Sequence, residues 1–402
     1  MHEPIAINDT CYWVGVNDFE THLFESIWPL PQGISYNSYV IIDEKVVLVD
    51  TVKGAQFSPY LDQIRTLLNG RKIDYLVINH MEPDHSGSLR MLLSLYPDIK
   101  VIGNKKTLEY IESFYHLKPA CIVVGDGESV NIGKNTLQFF LIPMVHWPET
   151  MVTFLPSNGA LFSGDAFGGF GALNGGVFDD EVDLSMCEYE TLRYFSNIIG
   201  KFSGMVQKAI KKLAGLNIKL IAPTHGPIFR TNPSHIVKQY DRWSRYEADE
   251  GVVIVYASMY GNTQVMAETV ARALTTSGIR TVLVHNVSTS HLSFIVTDIW
   301  RYRGVILGSC TYNTKIFPLM DLVVHSLDAT MMKHRVTGIF GSYTWSGGGV
   351  KGLQDAAQAG MWTPEEPIVE VKSSPTAQDR ERCTMLGKAV AGKIKQGGFI
   401  VP

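Results

Sequence analysis

The chain has few cysteines and no arrangement that would let them work together. Five occur in 402 residues, Cys11, Cys121, Cys187, Cys310 and Cys383, and no two form a CxxC pair. That spacing argues against a disulfide framework, an iron–sulfur cluster or a cysteine-rich electron-transfer module. Charge of one sign is also missing: 35 basic and 39 acidic residues leave a formal charge of -4. There is thus no electrostatic reason to expect nucleic acid or an anionic membrane as partner. No apolar stretch approaches the roughly 18 to 20 residues a membrane helix needs. The opening stretch MHEPIAINDT lacks the basic and apolar regions of a secretory leader, so a cytoplasmic location is expected. Internal repeats and low-complexity tracts are absent too.

What is present is enough apolar material for real cores. Hydrophobic residues make up 45% of the chain and charged ones 18%, which excludes disorder as the main state and suits two compact α/β domains. The pattern changes near residue 250. Before it, short β-rich runs (Tyr39 to Ile42, Val46 to Val49, Tyr75 to Ile78, Leu137 to Ile142) alternate with helical stretches, and His, Asp and Glu recur at the ends of the apolar runs. A polar helix-like segment, Ser234 to Glu250, then leads to an apolar strand, Val252 to Tyr256, which opens a regular βαβ succession. The expected domains are residues 1–250 and 251–402.

In the second domain, Ser258, Met259, Tyr260, Gly261, Asn262 and Thr263 join that strand to a helix carrying Val265, Met266, Val270, Ala273 and Leu274. Hydroxyls, a permissive glycine and the free N–H groups of a helix N-terminus suit a phosphate, and the lysine of a P-loop is missing. Two more loops follow expected strands: Ser309, Cys310, Thr311, Tyr312, Asn313 and Thr314 after Gly304 to Gly308, and Ser342, Tyr343, Thr344, Trp345, Ser346 and Gly347 after Val336 to Phe340. In an open parallel sheet these loops converge on the crevice beyond the carboxyl ends of the strands. Tyr312 and Trp345 offer flat faces for an aromatic ring. Cys310 reads as a small packed residue beside it.

The first domain carries a denser signal. His80-Met81-Glu82-Pro83-Asp84-His85 follows the apolar run Tyr75 to Ile78, which puts four metal-capable side chains in six residues. On an extended loop His80 and Glu82 would reach one ion while Asp84 and His85 turn towards a second, and Pro83 is expected to keep the segment extended. Ser86-Gly87-Ser88 is expected to start the helix bearing Leu89 and Leu92. His146, Asp165 and His225 each end a further apolar stretch. Glu82 adds a hard oxygen donor, and three carboxylates with four imidazoles favour non-haem iron over zinc.

The HxExDH loop with His146, Asp165 and His225, followed by the three loops of the second domain, resembles the flavodiiron branch of the metallo-β-lactamase superfamily. The resemblance covers essentially the whole chain. It implies a metallo-β-lactamase-like αββα sandwich followed by a flavodoxin-like doubly wound parallel sheet that binds FMN. It also implies a diiron centre: His80, Glu82 and His146 on one iron, Asp84, His85 and His225 on the other, and Asp165 bridging both. The activity implied is reduction of dioxygen to water or of nitric oxide to nitrous oxide. The implied electron donor is a rubredoxin-like protein or a reduced deazaflavin. The implied assembly is a head-to-tail homodimer, or a dimer of such dimers, with one subunit's FMN facing the partner's diiron site.

Near the pocket, where relatives have His or His-Tyr, this chain has Phe24-Glu25, and where they often show paired tyrosines it has Tyr194-Phe195. Glu25 is expected to be either a solvated or second-sphere carboxylate or a proton relay, and Tyr194 a residue of the catalytic pocket. Two other readings use the same residues: a dizinc hydrolase fused to a flavodoxin domain, and a non-enzymatic FMN electron carrier with a structural metal.

Overall fold

The structure is a computed structural model that describes residues 3–360 and 362–397. The chain divides into two compact units, one of residues Met1–Phe195 and Phe202–Asp241, the other of Ser196–Lys201 and Arg242–Pro402. Among the described residues no helix is long and apolar enough to cross a membrane.

The first unit is built on two sheets. One has seven strands in the spatial order Ile5–Ala6, Cys11–Trp13, Tyr39–Ile42, Val46–Val49, Tyr75–Val77, Lys100–Gly103 and Cys121–Val123. The other orders Ser129–Asn131, Thr136–Leu141, Met151–Leu155, Ala160–Gly164 and Leu220–Pro223. A single apolar cluster joins their inner faces, with Val47, Val49 and Val77 of one sheet and Leu137, Phe139, Phe162 and Ala222 of the other. Burial on both faces explains why Val46–Val49 reads as an unbroken apolar run and does not alternate. Helices such as Phe57–Leu68 and Lys105–Tyr115 each bury one stripe. The inner strands must end somewhere, and the segments that leave them at one end hold the polar groups described below.

The second unit holds a five-stranded parallel sheet in the order Val282–Asn286, Asp249–Ala257, Tyr302–Tyr312, Val336–Tyr343, Val369–Lys372. Numbered along the chain this is 2-1-3-4-5, the flavodoxin-like doubly wound order, whose switch point lies between its first and third strands. Helix Ala377–Lys395 starts at a capping box formed by Thr376 and Asp379. Gly387 lets this helix approach Asn262–Thr276 closely: a Cβ there would lie 2.7 Å from that of Ala273.

Several boundaries differ from the sequence expectation. The helix expected over Ser234 to Glu250 spans Pro233–Ser244, and the next strand already starts at Asp249. Left-handed Tyr246 and the Glu247 N–H bond to the Arg242 carbonyl turn the chain between them. The segment after Glu82 is not extended: Pro83–Ser86 is a short helix with proline in its first turn, where the missing N–H costs nothing. Nor does Ser88 cap the helix Leu89–Leu95. Its hydroxyl donates to the Val52 carbonyl at 2.7 Å, and that of Ser86 to the Met81 carbonyl at 2.7 Å. Finally, the strand expected over Gly304 to Gly308 continues to Tyr312, because Thr311 and Tyr312 pair with Lys315–Ile316 as a hairpin.

Candidate metal centre

Strand Tyr75–Val77 delivers His80 into the interior, and strand Ala160–Gly164 delivers Asp165; both are fully buried. His146 precedes Met151–Leu155, and His225 follows Leu220–Pro223. The structure brings all seven residues together in two groups, His80, Glu82, His146 and Asp165 in one, Asp84, His85 and His225 in the other, with the potential ligand atoms of each group within 4.8 Å of one another. The turn into the short helix at Pro83, and not side-chain alternation along an extended loop, sends Asp84 and His85 away from Glu82.

Asp165 connects the two groups. Its Oδ2 lies 3.4 Å from His80 Nε2 and 3.1 Å from His146 Nε2, while its Oδ1 lies 2.8 Å from His85 Nε2 and 3.9 Å from His225 Nε2. Glu82 Oε2 closes the first group at 3.3 Å from His80 Nε2 and 3.1 Å from His146 Nε2. Asp84 Oδ2 closes the second at 3.3 Å from His85 and 3.2 Å from His225. Desolvation opposes a charged His146, but Asp165 and Glu82 outweigh it and raise its pKa to about 9. His85 reaches about 9 in the same way, with burial opposed by Asp84 and Asp165. The carboxylates respond in the opposite sense: burial raises Glu82 and Asp165, but the imidazoles hold both below the usual range.

The surroundings orient these groups for a cation. His225 Nδ1 donates to the Ser35 carbonyl at 2.7 Å, which fixes the proton there and leaves Nε2 facing inward. His80 Nδ1 donates to Glu149 Oε1 at 2.8 Å, and Glu149 also accepts the Met81 N–H. Asp50, pushed up to about 6 by complete burial, accepts both the N–H and the side-chain amide of Asn79, the residue before His80. Both oxygens of Asp84, both ring nitrogens of His85, and Nε2 of His225 are buried without a hydrogen-bond partner. These unpartnered atoms all belong to the second group and are costly unless a cation takes their lone pairs; the first group crowds two carboxylates and two imidazoles into an equally small buried space, so the donor set fits two metal ions. Mixed carboxylate and imidazole donors with no thiolate suit iron.

Sequence reasoning missed Glu149, Asp50 and Thr224, whose hydroxyl donates to Asp165 Oδ1 at 2.5 Å. Asp50 follows the apolar strand Val46–Val49 and Thr224 follows Leu220–Pro223, the same signal that marked Asp165; Glu149 carries no such signal. Tyr194 is buried, and its hydroxyl donates to Asp165 Oδ2 at 2.9 Å. Phe195 packs its ring on Tyr240. Glu25 lies exposed at the tip of the hairpin Leu23–Phe24/Trp28–Pro29, where Trp28 donates to its Oε2 at 3.1 Å.

The second unit presents a crevice of about 340 Å³ at the switch point, lined by Ser258, Met259, Tyr260, Asn262, Thr263, Cys310, Thr311, Asn313, Thr314 and Ser342 through Ser346. Gly261 stands at φ 91° as the helix N-cap and makes no side-chain cap, so the first-turn N–H groups stay available to a phosphate. Gly261, Gly347 and Tyr312 do not line this crevice. Tyr312 turns its ring to Phe317 at 5.9 Å, edge to face, and borders a neighbouring groove instead. Trp345, 89% exposed, stands at the lip. Cys310 is buried, and burial raises its thiol pKa.

Comparison with known proteins agrees with both units. Residues 34–226 match the ODP family beta lactamase and residues 254–387 match flavodoxin. The nitric oxide reductase of Moorella thermoacetica is 33% identical over 98% of this chain and 100% of its own length. The anaerobic nitric oxide reductase flavorubredoxin of Escherichia coli O1:K1 / APEC is 33% identical over 91% of this chain and 80% of its own. Among solved structures, rubredoxin oxygen:oxidoreductase from Desulfovibrio gigas superimposes with a TM-score of 0.94 at 31% identity, covering 98% of this chain and 99% of that one. The flavodiiron protein from Giardia intestinalis gives 0.93 at 27%, covering 98% of each. With a relative matched end to end above 30% identity and the same two domains in the same order, this chain belongs to the flavodiiron protein family of oxidoreductases.

Proposed function

We propose that this chain reduces nitric oxide to nitrous oxide, or dioxygen to water, at two iron ions held by His80, Glu82, His146, Asp84, His85 and His225 and bridged by Asp165. The observation that carries the reading is the division of Asp165, one oxygen toward each group of imidazoles and carboxylates. When bound, FMN would supply one- and two-electron transfer and two iron ions would supply the binding and reduction of a diatomic gas, chemistry that no side chain here can supply. The chain's own part is to orient and to exclude. Ser35 and Glu149 fix the imidazole tautomers. Phe24 and Phe170 wall the pocket beside His225 and Tyr194, and Trp147 stands edge-on to His80. In the second unit the N-terminus of Asn262–Thr276 would hold the FMN phosphate, with the Cys310 to Thr314 and Ser342 to Ser346 loops along the ring.

A head-to-tail homodimer is the assembly we infer. It is supported by exposed apolar side chains around the Glu25 hairpin (Phe19, Leu23 and Ile27) and at the flavin lip (Tyr260 and Trp345), which a partner would cover. Electrons would come from a rubredoxin-like protein or a reduced deazaflavin. The names of the Moorella and Desulfovibrio relatives point to each gas in turn. Anaerobic reduction of the iron- and FMN-loaded chain, followed by separate exposure to each gas with nitrous oxide, water and peroxide measured, tests the reading. Slow reoxidation yielding peroxide alone would contradict it.

A further inference from the structure

The two groups of metal-binding side chains hang on different parts of the first unit. His80 is held from behind by Glu149, and Glu149 is itself fixed by the Met81 N–H and, at its backbone carbonyl, by the side-chain amide of Asn104. Behind His225 stands no carboxylate but the Ser35 carbonyl. His225 lies just beyond Leu220–Pro223, the last strand in its sheet order, in a loop that reverses at left-handed Gly226, φ 73°. On one side the Thr224 N–H reaches the Gly164 carbonyl at 2.9 Å. The other side is taken by the short segment between strands Ile34–Tyr36 and Tyr39–Ile42.

Asn37, fully buried, is the residue of that segment which meets the loop. Its N–H donates to the Thr224 carbonyl at 2.7 Å, and its Nδ2 donates to the carbonyls of Pro223 at 2.9 Å and Gly226 at 2.8 Å. The carbonyls on both sides of His225 thus end on Asn37. Its amide can face only one way. An indole N–H donates and never accepts, and Trp13 Nε1 meets Oδ1 at 2.9 Å, so the Nδ2 end is turned to the carbonyls, which can only accept. The Tyr39 hydroxyl shares the Pro223 carbonyl at 2.6 Å, and the Ser35 hydroxyl accepts the Gly226 N–H at 2.8 Å. Everything fixed in this way serves one ion. His225 belongs to the second group, and the Thr224 hydroxyl donates to Asp165 Oδ1, the oxygen 2.8 Å from His85 Nε2. None of these bonds reaches His80, Glu82 or His146.

We propose that Asn37 is the positioning residue of the second metal site, and that the two ions, having separate supports, can be removed one at a time; this rests on the two-iron reading above. With Asn37 disabled, the His225 loop loses its inner anchor while His80 and its neighbours keep theirs. Partners that orient a metal ligand are worth about 10- to 100-fold in metal affinity.

The test uses the full chain loaded with iron and FMN, challenged anaerobically with a competing chelator. Asn37→Leu keeps the side-chain volume and removes its hydrogen bonds. It is expected to give up one iron about 10- to 100-fold more readily than the wild type and the other as before. Asn37→Asp keeps the shape and the acceptor for Trp13 but offers at most one donor to the two carbonyls. It is expected to release the same iron by a smaller factor, and it decides the matter if the Leu variant does not fold. The iron left in either variant should give a Mössbauer doublet matching one subsite of the wild-type pair, and the iron left in Glu149→Ala should match the other. A merely structural role would lower the melting transition and loosen both irons alike. Equal release of both irons, release unchanged from the wild type, or the same residual doublet in the Asn37 and Glu149 variants would each overturn the proposal. If the loaded wild-type chain holds fewer than two irons, the two-iron reading fails and this inference with it; if it holds two and the Asn37 variants part with both together, this inference alone fails.

Discussion

Tyr194 donates its hydroxyl to Oδ2 of Asp165 at 2.9 Å, while Thr224 donates to Oδ1 at 2.5 Å. Each carboxylate oxygen thus has one hydroxyl donor and keeps a lone pair toward the imidazole side, where a cation would sit. Tyr194→Phe conserves shape and removes one hydrogen bond, so thermal unfolding should show a loss of about 1 kcal/mol. Two irons should remain bound, and turnover should fall several-fold as Asp165 gains freedom. Loss of both irons would show that Tyr194 helps build the site and does not merely steady it.

Glu149 receives the proton of His80 Nδ1 and shows no exposed handle for any other role. A carboxylate behind a metal-binding imidazole is worth about 10- to 100-fold in metal affinity. Glu149→Ala should release iron to a competing chelator in that proportion. Unchanged retention would remove Glu149 from the account.

How far the site could be read in advance follows from what each residue signals. A polar ligand after an apolar strand is conspicuous, and so His80, Asp165 and His225 stand out. Asp50 shares that signal, but its partner Asn79 says nothing of metal. Glu149 and Thr224 act only through neighbours that folding brings near. Pro83 reads two ways: it disfavours helix at Glu82, which is indeed extended at ψ 139°, yet it also begins a helix itself. Tyr312 reads as a loop residue after a sheet strand, but the hairpin with Lys315–Ile316 prolongs that strand and sets its ring edge to face with Phe317. The doubly wound parallel sheet is the most readable part, because βαβ periodicity leaves few topologies.

Arg335 is buried, and among the described residues its guanidinium donates to the backbone carbonyls of Ile299, Trp300, Tyr246, Lys333 and His334. Burial lowers its pKa to about 9. Arg335→Met leaves those acceptors without their donor and should destabilise the second unit by roughly 3 kcal/mol. Flavin release should accompany the lower melting transition. A melting point equal to the wild type's would contradict the assignment.

Asp43 accepts from the Glu44, Lys134 and Asn135 N–H groups and from the Asn135 amide, at 2.6, 3.0, 2.9 and 2.7 Å. Although desolvation opposes it, these donors lower the carboxyl pKa below its free value. A lowered folded pKa means stability that is present above the unfolded pKa, about 3.9, and is lost as pH falls through the folded value. Asp43→Asn should therefore melt below the wild type at pH 7, and the gap should close below about pH 4. A gap independent of pH would show that charge plays no part.

Metal analysis with Mössbauer spectroscopy of anaerobically purified protein tests the central claim most directly. Two irons per chain are expected, magnetically coupled through Asp165, with the coupling altered in Asp165→Asn. Two zincs per chain, or a single uncoupled iron, would contradict the account.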